Sequence, residues 1–151
     1  MSTLPLPGPV ADALRGRPTI GASEAASLLI TNKSDGFPHV TLLSRAELEV
    51  GADGRLLVAL AGSTTPANLD RVGQATLLVI VDDTAHSCDL RVAARLEGHG
   101  MVGYVLEPVH LRADSLGIPL TPIRYTTPPE LPSIERWDAS GHLLAELAEL
   151  P

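Results

Sequence analysis

A mainly β chain, an antiparallel sheet closed or partly closed into a barrel with short peripheral helices, is what this sequence predicts. Three observations predict it. Short apolar or alternating runs recur through the first two thirds of the 151 residues (AASLLIT, FPHVTLLS, ELEV, RLLVALA, QATLLVIV), the length and texture of strands. Clusters with turn chemistry separate them, Asn32 to Gly36 and Gly51 to Gly54. Within that meander only Thr65 to Val72 has a helical look, with Gly73 placed to end it.

The elements follow in order. Pro9 to Arg15 reads as a short amphipathic helix stopped by Gly16-Arg17-Pro18. Ala25 to Thr31 and Phe37 to Ser44 form a hairpin, and Glu47 to Val50 and Arg55 to Ala61 continue the meander. Gln74 to Val81 is nearly all apolar and β-branched, the signature of a strand buried on both faces. Asp82 to Cys88 reads as a polar loop. Asp89 to Glu107 is extended, broken at Gly98-His99-Gly100 by a bulge or tight turn. From Pro108 six prolines make Leu116 to Pro132 an ordered but irregular arm, because proline donates nothing to a ladder. Leu143, Leu144, Leu147 and Leu150 then mark a C-terminal helix, packed on its own barrel or on a second subunit.

The length fits one domain, divided as an N-terminal helix and lead-in (1–23), a barrel core (24–107) and a proline-rich arm with the terminal helix (108–151). The net charge of −7 argues against nucleic acid or an anionic membrane as partner. The single cysteine, Cys88, rules out an intrachain disulfide framework and suits a reducing, cytoplasmic setting. No basic n-region precedes an apolar run at the N-terminus, and no span of eighteen apolar residues occurs, so a soluble, unexported chain is expected.

The stretch Gly62 to Asp70, GSTTPANLD, sets three hydroxyls before the short helix. Thr65 suits an N-cap and Pro66 the first helical position. Free amides flanked by Ser63 and Thr64 also suit an anion. Other chemistry is sparse. The segment DDTAHSCD (Asp82 to Asp89) gathers metal-type ligands without a metal spacing, so a polar connection is the better reading and no metal is expected. No HExxH, CxxC, GxGxxG, Walker or nucleophile-elbow sequence is present. Asp12, Glu24, Glu47 and Glu49 read as solvated faces rather than acid–base pairs. Tyr125 and Trp137 either pack the arm or present a ring to a ligand.

The order strand, turn, strand, hydroxyl loop, short helix, apolar strand resembles the FMN-binding split barrel of the pyridoxamine 5′-phosphate oxidase-like superfamily. The resemblance spans Ala25 to Glu97 and rests on HVTLLS (His39 to Ser44), GSTTPANL (Gly62 to Leu69) and VGQATLLVIV (Val72 to Val81). It implies a split barrel that forms homodimers with ligand sites between subunits, an FMN cofactor, and a flavin-dependent oxidoreductase acting on a small molecule. The implied cofactor contacts are His39, Thr41, Leu43, Ser44, Ala59, Ser63, Thr64, Thr65 and Asn68, with the ring edge along His39 to Ser44 and the phosphate at Ser63, Thr64, Thr65 and the Asn68 amide. No catalytic residue is implied. The chain departs from the pattern at four basic positions. His39 and Ser44 stand where the oxidases' flavin strand carries arginine and lysine, and Thr64 and Thr65 replace the cations of their Ser-Arg-Lys loop. Arg71, or Arg45, Arg91 or Arg124 of a second subunit, are the cations left to compensate. The alternative is a non-enzymatic split-barrel dimer that binds another ligand, such as haem or a deazaflavin, or a protein partner.

Overall fold

Seven strands form one antiparallel sheet in the order β3-β2-β6-β7-β8-β5-β4. They are β2 (Ser27–Asn32), β3 (Pro38–Leu43), β4 (Leu48–Val50), β5 (Leu56–Leu60), β6 (Gln74–Val81), β7 (Thr84–Gly98) and β8 (Met101–Asp114). The computed structural model describes residues 4–151, so the first three residues of the lead-in lie outside it. β3 and β4 are opposite edges of the sheet, yet the chain passes between them through only Ser44 and a 3-10 turn, Arg45–Glu47. A flat sheet would hold them about 29 Å apart. The linking residues reach at most about 17 Å. The sheet must therefore curl into a half-barrel whose split lies at Ser44 to Glu47.

Two cores result. Leu29, Leu56, Val58, Leu77, Cys88, Leu90 and Tyr104 fill the barrel, joined by Val10, Ala11 and Leu14 of α1 (Gly8–Leu14). Leu57, Ala59, Met101 and Val105 point outward and are sealed by Leu143, Leu144 and Leu147 of α4 (Trp137–Ala148). The C-terminal helix thus packs on its own sheet. β5, not β6, is the strand buried on both faces. β6 alternates instead, with Ala75, Leu77 and Val79 inward and Thr76, Leu78 and Ile80 half-buried on the outer face.

Gly103 of β8 sits under α4, where a Cβ would come within 2.8 Å of Leu147 Cδ1 and 3.1 Å of Leu143. Gly103→Ala should therefore destabilise the chain by about 1 kcal/mol, the low end for overpacking because leucine ends can shift. Urea denaturation of the parent and the variant checks this.

The segment expected to be a loop, Asp82 to Cys88, is mostly strand. Only Asp82 and Asp83 turn, both at positive φ, and Val81 pairs directly with Thr84. Two residues at positive φ match the twist of a tight hairpin, and aspartate tolerates that conformation. Asp89 to Glu107 is likewise not one extended piece, since His99 and Gly100 form a second two-residue turn. β8 also continues through Pro108. Val109 is an extra residue in the ladder there, and β8 has lost β5 as a neighbour beyond Leu106, so no donor is required.

A small second sheet pairs β1 (Ser23–Ala25) with β9 (Arg124–Thr126) of the proline-rich arm. It brings the arm to the split. α3 (Leu131–Ile134) follows and leads into α4. Among the described residues no helix is long and apolar enough to cross a membrane.

Candidate functional site

The helix α2 (Thr64–Val72) begins at the end of β5 and faces β3 across a cavity of about 250 Å³. His39, Thr41, Glu47, Ser63, Thr64 and Thr65 line it. The hydroxyls do not cap the helix. Ser63 is the N-cap and its side chain makes no cap bond, while Thr65 lies inside the first turn. The Thr65 hydroxyl is hydrogen-bonded to Thr41 Oγ1 at 2.7 Å, stitching α2 to β3. Pro66 has no N–H and the Ala67 amide is used by the Ser63 carbonyl, so the helix's free amides at the cavity are those of Thr64 and Thr65.

Two of the expected contacts lie elsewhere. Ala59 is fully buried under α4, because β5 turns alternate side chains to opposite faces. The Asn68 side chain is buried against β2, donating to Thr31 Oγ1 at 3.0 Å and accepting from Arg71 at 3.3 Å. Its amide falls past the first helical turn, where N–H groups bond within the helix. Below the cradle, the buried Tyr104 hydroxyl donates to Asp70 Oδ1 at 2.8 Å and fixes α2 to β8. Gly73 ends α2 in the left-handed conformation, as its place in the sequence predicts.

A second cavity of about 420 Å³ continues past Leu43 and Ser44, and Glu47 borders both. Leu42, Leu43, Ile123 and Leu131 give it apolar walls, and Ser44, Tyr125 and Glu135 supply its polar groups. The ring of Tyr125 therefore faces a cavity, whereas Trp137 serves to hold Glu135, its Nε1 donating to Oε1 at 2.9 Å. Burial raises the Tyr125 pKa, and among the described residues its shielded hydroxyl makes no hydrogen bond.

Glu47 is the residue that the sequence reading misplaced on a solvated face. Ser44 and Glu47 form a capping box: the Ser44 amide donates to Glu47 Oε1 at 3.1 Å and Ser44 Oγ accepts from the Ala46 amide at 3.2 Å. The signal was present as S-R-A-E, a Ser-x-x-Glu pattern. Burial raises the Glu47 carboxyl to about 7, the Ser44 hydrogen bond opposing and the nearby Glu135 carboxyl adding to the rise. Glu24 is not free either. It pairs with Arg45 at 2.9 Å, and hydrogen bonds from Arg45 and the Thr19 amide outweigh burial and hold its pKa below the ordinary range.

The candidate cations are spoken for or distant. Arg45 also donates to the carbonyls of Arg15 and Arg17. Arg71 is bonded to the Asn32 carbonyl and Asn68. Arg124 lines only the larger cavity, and Arg91 lines neither. The hydroxyl-lined cavity therefore offers hydroxyls and two free amides but, among the described residues, no arginine or lysine. Nor does DDTAHSCD enter the site: His86 and Cys88 are buried on the inward face of β7, and burial raises the thiol to about 11. No cluster of metal-ligand side chains occurs among the described residues.

No protein-family model matches the chain, and no curated protein matches it in sequence. Solved structures do. A styrene monooxygenase flavin reductase from Pseudomonas putida S12 superposes with a TM-score of 0.55 at 8% identity, covering 71% of this chain and 89% of that one. An F420 reductase gives 0.53 at 14% identity, over 67% and 94% of the two chains. Component B of nitrilotriacetate monooxygenase from Mycobacterium thermoresistibile gives 0.56 at 10%, over 71% and 78%. These likenesses concern the backbone: the chain has the split-barrel type of fold, a curled antiparallel sheet, that these three proteins share.

Proposed function

We propose that the chain binds a flavin-class cofactor along β3 and takes part in reducing a small molecule. FMN is the member the sequence resemblance names, and the deazaflavin F420 is the other that a neighbouring structure's name suggests. The observation that carries this reading is the pair of cavities running along His39 to Ser44, joined at Glu47, in this fold. The tricyclic ring needs a flat, largely apolar groove, which β3 and the Tyr125 side of the larger cavity supply. The hydroxyls and free amides of Ser63 to Thr65 would receive the polar tail. The cofactor would supply the redox chemistry, and this chain's residues would bind and orient it.

We further propose a homodimer with the site at its interface. Val40 and Leu42 are 51% and 55% exposed on the outer face of β3, and register places Ile30 and Leu28 beside them and Leu78 next in line. A contiguous apolar face of this kind is unusual on a monomer. Leu42 also lines the larger cavity, which makes that face continuous with the site. Val40→Glu combined with Leu42→Glu should convert a dimer into a monomer by sedimentation; a parent that sediments as a monomer would refute the proposal. A cytoplasmic location, where Cys88 stays a thiol, completes the reading.

The direct test is titration of desalted protein with FMN, F420 and FAD, followed by cofactor fluorescence. Saturable quenching, weakened in Thr64→Ala/Thr65→Ala, is the expected result. Failure of all three to quench would favour the second reading, a dimer with another ligand, for which the absence of an arginine or lysine from the hydroxyl-lined cavity, among the described residues, is the specific support.

A further inference from the structure

The cradle that would receive a cofactor's tail is built in a way that works against a phosphate. Glu47 reaches it from the split, held by a capping box that fixes the carboxyl rather than leaving it to swing into solvent. Behind it stands a second carboxyl. Ser44 Oγ lies 3.4 Å from Glu47 Oε1 and 3.2 Å from Glu135 Oε1, and a hydroxyl has one hydrogen to give. With both carboxyls ionised, one of them goes without that donor. With Glu47 protonated, the shortage disappears.

The other charged groups around Glu47 do not relieve this. Arg45, in the same turn, is committed to Glu24. Arg17, from the lead-in, donates to the Ala46 carbonyl at 2.7 Å and lies toward Ser140 of α4. Arg124 and Tyr125 of β9 border the larger cavity together with Ser44, Glu47 and Glu135, and neither is hydrogen-bonded to either carboxyl among the described residues. Among the described residues the one titratable base on the cradle side is His39 of β3.

We propose that Glu47 is the specificity-determining residue of the hydroxyl-lined cavity: it selects a ligand with an uncharged, hydroxyl-bearing tail over one ending in a phosphate dianion, and admits a phosphate only together with a proton. The inference rests on the flavin reading of the site. The hydroxyls of Thr41, Ser63, Thr64 and Thr65 exchange hydrogen bonds with a polyol in either protonation state of Glu47. A phosphate in this cavity meets two amides and several hydroxyls and, when Glu47 is ionised, the like charge of a residue that lines it. Because burial sets the Glu47 carboxyl at about 7, the cradle passes from acceptance to rejection within the neutral range.

Riboflavin and FMN differ only in the phosphate, so the pair isolates the effect. Fluorescence titrations of the parent at about pH 6 and pH 8 should give one riboflavin affinity and an FMN affinity that falls about tenfold, the fall in the protonated fraction of a group with a pKa near 7. Riboflavin should bind the more tightly at the higher pH. The FMN phosphate itself loses a proton over this range, so Glu47→Gln is the decisive comparison. Its amide oxygen can still accept from the Ser44 amide, and circular dichroism confirms the fold. This variant should bind FMN at least tenfold more tightly than the parent at pH 8 and lose most of the pH dependence, while His39→Gln keeps it. FMN binding more tightly than riboflavin with no pH dependence, or a dependence removed by His39→Gln and retained by Glu47→Gln, would overturn the assignment to Glu47. Binding of neither riboflavin nor FMN would overturn this inference, and failure of F420 and FAD as well would overturn the flavin reading with it, outcomes distinct from the first two because there a flavin binds.

Discussion

Leu143→Ala should lower the free energy of unfolding by about 3 kcal/mol, in the range for removing a buried leucine side chain from a site that cannot collapse. Leu143 is fully buried, and its neighbours leave little freedom to fill the gap. Leu57 and Ala59 are fixed on a strand paired with β4 and β8, and Met101 and Val105 stand on β8 itself. Urea denaturation should show the midpoint falling with an unchanged slope, since the surface exposed on unfolding hardly alters. Leu116→Ala, in the arm where the leucine is 69% exposed, should stay within about 0.5 kcal/mol of the parent. A Leu143→Ala midpoint indistinguishable from that control would mean that α4 is a loose appendage, and the outward face of β5 would need another cover.

The same helix explains where the sequence was misleading. QATLLVIV looks more deeply buried than RLLVALA, because it is longer and richer in β-branched residues. Which strand is buried twice depends on what covers the sheet's outer face, and that is decided by a helix more than seventy residues further along the chain. Hydropathy along one strand carries no record of that partner. Elements fixed by local chemistry were easier to read. β6 occupies Gln74–Val81 as its run predicts, and α2 stops at Gly73 because a left-handed residue is needed there. Turns made by unusual residues were harder. Asp82-Asp83 lacks the glycine that marks most tight hairpin turns, so the polar stretch around it passed for a loop.

The candidate site divides along the same line. His39, Thr41, Ser63, Thr64 and Thr65 were legible because each lies within a local motif, and the fold brings them to one cavity. Tyr125 and Glu135 arrive from the arm, whose course is set by pairing of β9 with β1 and by the Trp137 hydrogen bond. No local pattern encodes that convergence. Glu47 was legible in part: Ser-x-x-Glu identifies a box that turns the glutamate back on its own chain. That the box lies at the split of the barrel, where the turned carboxyl is desolvated, needed the sheet order.

Desolvation of Glu47 has a consequence for stability that can be measured without any ligand. An acid whose folded pKa is raised binds a proton in the folded state at pH values where the unfolded chain has lost it. Stability is therefore lost as pH rises from about 4.5, the ordinary value, to about 7, and the loss is complete above that. The full shift would correspond to about 3 kcal/mol. Because Glu47 is only half-buried, solvent screening reduces this to about 2 kcal/mol. Glu47→Gln keeps an acceptor for the Ser44 amide and has no charge to bury, so at pH 8 it should be more stable than the parent by that amount. At pH 4, where both side chains are neutral, the two should coincide. Every other titrating group is common to both proteins, so the difference between the two stability curves isolates Glu47, and it should open between pH 5 and pH 7. Parallel curves would show that water reaches the carboxyl freely in solution. A variant less stable at all pH values would show that the carboxylate holds the Ser44 amide better than an amide oxygen can, making the capping box rather than the desolvated charge the dominant contribution at the split.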